Sequence, residues 1–119
     1  MQKYQDLVVW QRGVEVVTDV YRLTEAFPRS EIFGLTSQMR RAAVSIPSNI
    51  AEGFARRNKS EHIQFLRIAF GSGAELETQI VLAENLGFAK TATTRDVRNK
   101  IDETMRMLNK LLTTLESKN

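Results

Sequence analysis

The sequence predicts an all-α protein folded as an up-down antiparallel four-helix bundle. Three observations lead there. Apolar residues recur at spacings of three and four through most of the chain. No alternating β-branched run extends beyond a few residues. The punctuation, two prolines and six glycines, leaves long amphipathic stretches joined by short connections. With 119 residues, 42% of them hydrophobic and 26% charged, the chain reads as one domain, residues 1–119, able to bury a core.

The first helix is expected over about residues 6–27. Leu7, Trp10, Val14, Val17 and Tyr21 form one stripe, and Val9, Val16, Val20, Leu23 and Phe27 form a second. Phe27-Pro28 ends it, because the residue before a proline resists helical geometry. The second helix, about 31–56, carries Leu35, Met39, Ala42, Ile46 and Ile50 on an apolar face. Its apolar phase survives Pro47, which removes a backbone donor, so a kink rather than a stop is expected there.

The third helix, about 59–86, opens on Asn58-Lys59-Ser60-Glu61, which has the pattern of a capping box. Gly87 suits the left-handed residue after its end, with Phe88 making the accompanying apolar contact. Thr93-Thr94-Arg95-Asp96 offers the cap of a fourth helix, about 94–116, with Val97, Ile101, Thr104, Met105, Leu108, Leu111, Leu112 and Leu115 on one seam. Gly71 and Gly73 interrupt the third helix. Each interior glycine costs about 1 kcal/mol relative to alanine, which suggests that another backbone approaches closely there.

Composition excludes several classes. Without cysteine there is no disulfide scaffold and no thiolate metal site, and a single histidine makes zinc binding unexpected. No phosphate-binding loop, nucleophile–base pair or cofactor motif is present, so no cofactor and no enzymatic activity are expected. The N-terminal residues lack an apolar leader core and no stretch is long enough to span a bilayer, so the expected location is the cytoplasm, without a membrane partner.

Beside the apolar face of the second helix runs a polar stripe of Gln38, Arg41, Ser45, Asn49 and Glu52. Counting residues outward from a turn near Arg57 places Arg41 beside Gly73 to Glu75, Ser45 near Ala69, Asn49 near Phe65 and Glu52 near His62. An interhelical polar network of Arg41, Ser45, Asn49, Glu52 and Glu75 follows, with Arg41–Glu75 as its ion pair. His62 and Glu52 could form an acid–base pair, but a local hydrogen bond or exposure is the simpler expectation.

The formal charge is +3 and the isoelectric point is near 9.5. Arg56, Arg57, Lys59, Arg95 and Arg98 are the candidate contacts to RNA or DNA. The competing reading is solvated helix faces, with Glu52–Arg56 and Arg98–Asp102 paired four residues apart. The first helix has more apolar surface than one inward arc needs, which marks Trp10, Val16, Val20, Tyr21 and Leu23 as candidate contacts between copies of the chain.

Nearly the whole chain resembles the 23S rRNA intervening-sequence proteins. The resemblance rests on Asp6-Leu7-Val8-Val9-Trp10-Gln11, Phe27-Pro28 and Gly34-Leu35-Thr36-Ser37-Gln38. It continues through Arg40-Arg41-Ala42-Ala43-Val44-Ser45-Ile46-Pro47-Ser48-Asn49-Ile50-Ala51-Glu52-Gly53, then Phe65-Leu66-Arg67-Ile68-Ala69, Gly71-Ser72 and Glu75-Leu76-Glu77. Gly73 is a small departure, since alanine or a larger residue often stands there in similar chains. The resemblance implies a four-helix bundle assembled as a homopentameric ring. A related branch, the accessory variability proteins of diversity-generating retroelements, is a basic pentamer that binds nucleic acid and a reverse transcriptase. The resemblance therefore implies self-association, with nucleic acid and a protein as further partners. It supplies no catalytic residues.

Overall fold

The computed structural model describes residues 3–117 and contains four long helices, with no strand among the described residues. Helix α1 spans Val8–Glu25, α2 Leu35–Phe54, α3 Lys59–Asn85 and α4 Thr91–Glu116, and short 3-10 turns occupy Tyr4–Asp6 and Arg29–Glu31. They pack as an elongated bundle of 47 × 23 × 20 Å. Each helix touches two neighbours: α1 lies against α2 and α4, and α3 closes the square against the same two.

Contacts between neighbours pair rising with falling residue numbers. Gly13 sits against Ile46 and Pro47, while farther along α1 the Thr24 hydroxyl accepts from Arg40 Nε at 2.9 Å. Gly53 sits against His62 and Phe65, and Ser45 meets Ser72. Arg12 and Lys100 tie α1 to α4 through Glu103 and Asp19. Adjacent helices therefore run in opposite directions.

The core is filled by residues from every helix. Val16 and Val20 of α1, Met39, Ile46 and Ile50 of α2, Leu66, Leu76 and Ile80 of α3, and Ile101 and Leu108 of α4 are all fully buried. Burying each large aliphatic side chain contributes about 1.5–3 kcal/mol relative to leaving it in water. Helix α2 continues through Pro47, whose ring faces the notch left by Gly13. A Cβ at residue 13 would meet Pro47 Cβ and Ile46 Cγ2 at 3.4 Å, an ordinary van der Waals contact, so α1 and α2 pack closely at this point.

Several helix ends differ from the sequence expectation. Helix α1 begins at Val8, because Tyr4–Asp6 make a separate turn and Leu7 is extended. Helix α2 begins at Leu35, where the carboxylate of Glu31 accepts from the Leu35 amide at 3.2 Å and so caps from outside the helix. Helix α4 starts at Thr91, three residues before the expected Thr94. Thr94 does not cap it. Its hydroxyl is buried, donates to Glu84 at 2.6 Å and fastens α4 to the end of α3. Asn58 does cap α3, with its side-chain oxygen accepting from the Glu61 amide at 3.2 Å. Gly87 adopts φ 78°, and the Phe88 and Gly87 amides donate back to Ala83 and Glu84, the geometry of a Schellman motif. Phe88 then packs on Phe27 with ring centroids 5.7 Å apart.

The two α3 glycines serve different ends. A Cβ on Gly73 would overlap the thioether of Met105, so Gly73 makes room for a side chain of α4 rather than for a backbone. Around Gly71 a Cβ would meet nothing within 4 Å. The close approach to backbone is instead at Gly53, where a Cβ would stand 3.2 Å from the His62 carbonyl and 3.1 Å from Phe65 Cβ.

Candidate functional site

The polar stripe of α2 does meet α3, in a register three residues beyond the sequence count. Ser45 and Ser72 hydroxyls are 2.7 Å apart, where the count placed Ala69. Asn49 does not cross to α3; its amide donates within α2, to the Ser45 carbonyl at 2.8 Å and the Ser45 hydroxyl at 2.9 Å. Below the serine pair the helices splay into a groove of about 390 Å³ lined by Gln38, Arg41, Ala42, Ser45, Ser72 and Glu75. Arg41 and Glu75 thus share one groove, but they form no ion pair with each other or with any other described residue. Both are exposed, and in water two long side chains gain little by holding one geometry. Glu75 instead accepts from Gln79 at 3.2 Å, and Gln79 Oε1 is buried without a partner among the described residues.

Glu52 lies outside this network. Its carboxylate takes Arg56 at 3.0 Å, four residues along the same helix. His62 lies edge-on to Phe54 at 6.2 Å, and its Nε2 is buried without a hydrogen bond. Burial alone pushes the imidazole pKa down, since no partner compensates a buried positive charge. No acid–base pair forms between them.

The five candidate nucleic-acid contacts fall into two groups. Arg56, Arg57 and Lys59 surround the α2–α3 connection, all exposed. Arg56 is held by Glu52 and stacks 4.8 Å over the Phe65 ring, whereas Arg57 and Lys59 have no ion-pair partner among the described residues. Lys59 also lines a groove with Ser60, Ile63, Gln64, Arg67 and Glu116. Arg95 and Arg98 sit in the first turns of α4, at the far end of α3, roughly 30 Å away at 1.5 Å per residue. Arg98 turns inward to the Thr94 hydroxyl at 3.1 Å and lies 3.9 Å from Glu84, and Asp102, its expected partner, pairs with Arg106. The fold therefore does not bring the five together.

Of the candidate self-contacts, Val16, Val20 and Leu23 are core residues and are not available to another copy. A helix in a square bundle faces two neighbours and the centre, so much of the wide apolar arc of α1 is consumed internally, while Val8, Val14 and Tyr21 stay exposed. Trp10 is half-buried against Tyr4, with centroids 5.4 Å apart, and Tyr21 is partly exposed beneath the Arg40 guanidinium at 4.4 Å. Further uncovered apolar surface lies elsewhere. Phe33 is 94% exposed on the connection before α2, next to Ile32, and Val81, Leu82 and Leu86 are exposed on α3. Sequence reading missed Phe33 because it lies in a short connection, outside any periodic stripe. It missed Ser72 and Gln79 because the neighbouring glycines drew the argument towards packing. Also unanticipated is an α1–α4 seam, in which Arg12 bridges Glu15 and Glu103, and Lys100 meets Asp19 at 2.9 Å and Glu15 at 3.7 Å.

Among the described residues no cluster of three or more His, Asp or Glu side chains is placed to hold a metal, and no helix is long and apolar enough to cross a membrane. A solved structure from Bacteroides thetaiotaomicron, described as a protein with unknown function from the S23 ribosomal protein family, has the same fold. It aligns with a TM-score of 0.79 at 20% identity, over 87% of this chain and 97% of that one. No curated protein matches the chain. The family model described as 23S rRNA-intervening sequence protein matches residues 5–110. Helices α1 to α3, most of α4, the α2 stripe and the tight α2–α3 contact at Gly53 all lie in that span, and the chain belongs to the 23S rRNA-intervening sequence protein family.

Proposed function

We propose that this chain is a non-enzymatic, ring-forming oligomeric protein of the cytoplasm that binds RNA or DNA through the basic α2–α3 end. The observation that carries the reading is the pairing of two surplus surfaces on one small bundle. Phe33 and Ile32 on one side, and Val81, Leu82 and Leu86 on α3, are exposed apolar surfaces of the kind that soluble monomers seldom leave uncovered. Two different faces are what a head-to-tail contact uses, and such contacts form rings when the rotation between copies closes. At the α2–α3 connection Arg57 and Lys59 have no ion-pair partner among the described residues, and a ring repeats them around its axis, raising the local positive potential.

Binding to mixed-sequence RNA and DNA at several salt concentrations tests the nucleic-acid part. The expected result is affinity that falls steeply with salt, and weakens in the Arg57→Gln, Lys59→Gln double variant without a change in assembled mass. A second reading, an adaptor that binds only proteins, is favoured by the pairing of Arg12, Arg56, Arg67, Lys100 and Arg106 with carboxylates. Salt-independent or undetectable binding to both nucleic acids would select it.

A further inference from the structure

We propose that the groove between α2 and α3 is a binding site for a small zwitterion, in chemical class a free α-amino acid. The groove presents one charge of each sign from opposite walls, Arg41 on α2 and Glu75 on α3, and the two do not satisfy each other. A dianion such as phosphate would meet Glu75, and a simple cation would meet Arg41. A molecule carrying both charges completes both walls at once. The charge-assisted bonds it would make are the stronger class of hydrogen bond.

The uncharged groups fit the same ligand. Asn49 donates to Ser45, and Ser45 and Ser72 share one hydrogen bond between their hydroxyls. That contact uses one of the two hydroxyl protons, and the other has no acceptor among the described residues. One O–H is therefore left at the serine pair, where the α2 and α3 walls of the groove meet, suited to a carboxylate. On the Glu75 side, Gln79 spends its amide N–H on the carboxylate and leaves Oε1 buried and without a donor. Gln79 is 4% exposed, and a buried acceptor of this kind is costly unless a donor reaches it. Gln79 is not part of the groove lining, but its amide N–H holds the Glu75 carboxylate that an ammonium group would meet. The carboxylate end is thus assigned to Arg41 and the serine pair, and the ammonium end to Glu75. At about 390 Å³ the groove has room for an amino acid and for its side chain to lie towards solvent. The site is separate from the basic α2–α3 end and from the exposed apolar surfaces.

The test is titration calorimetry with amide chemical-shift mapping on the full chain, using L-serine, L-glutamine and L-leucine. At least one should saturate with a Kd of about 1 mM or tighter, with shifts centred on Arg41, Ser72 and Glu75. N-acetyl-L-glutamine, lacking the ammonium, and L-glutaminamide, lacking the carboxylate, should each bind about tenfold or more weakly than glutamine. Arg41→Gln and Glu75→Gln should each lose a similar factor, and Arg57→Gln should bind as the parent does. Failure of all three amino acids to saturate by about 10 mM overturns the proposal. So does equal binding of the single-charge derivatives to the parent protein, a result that requires no variant to fold.

Discussion

Single residues show where the fold is tightest. Gly71 faces open space in mid-helix, so Gly71→Ala should stabilise the protein by about 0.5–1 kcal/mol through helix propensity. Gly53→Ala should do the opposite. Its methyl would press on the His62 carbonyl and Phe65 Cβ, neither of which is the free end of a flexible chain, at a cost of about 1–3 kcal/mol. Urea denaturation of the two variants checks both signs at once. The sequence marked the α3 glycines as unusual but could not rank them with Gly53, because the difference lies in what faces each Cα across the groove. His62 gives a pH dependence. Its folded pKa lies below the usual 6.5, so the unfolded chain binds the proton more readily. Stability should therefore be complete above about pH 6.5 and fall as the pH drops below it. The difference between the parent protein and His62→Phe, followed by thermal melts from neutral to acid pH, isolates this contribution from that of the carboxylates.

Helices were far more legible than their contacts. Each of the four is written in apolar spacing, and the Asn58 cap and the Gly87 stop were readable because they depend only on local residues. The α2–α3 register was not. Side chains on a helix lean towards its N-terminus, so each covers a surface spot about one residue before its own position. Across two antiparallel helices these offsets add, which accounts for about two of the three residues separating Ser72 from the counted Ala69. The α1–α4 seam was hidden for a related reason: Asp19 and Lys100 are 81 residues apart and belong to no common motif. Both groups are only partly shielded, so a double-mutant cycle on Asp19→Asn and Lys100→Met should give a coupling of about 0.5–1 kcal/mol. A null cycle would reduce the seam to a decoration of the surface.

At the scale of the molecule, the sequence marked five residues of α1 as contacts between copies, of which Tyr21 is exposed, Trp10 is half-buried and three lie inside the bundle. Val16, Val20 and Leu23 vanish into the core, because every helix of a square bundle is flanked on two sides. What remains outside includes Val8, Val14 and Tyr21 of α1, Phe33 with Ile32, and Val81, Leu82 and Leu86 at the end of α3. Because Phe33 makes so little contact within the chain, Phe33→Ser should leave the bundle's own stability within about 0.5 kcal/mol of the parent while weakening self-association. The most direct test of the account is therefore the mass of the parent protein in solution, measured by light scattering at micromolar concentration. The account predicts a particle about five times the 13.6 kDa chain, reduced towards the monomer in Phe33→Ser. A dimer or tetramer would refute the subunit count taken from the family resemblance, and a stable, folded monomer would contradict the assembly itself.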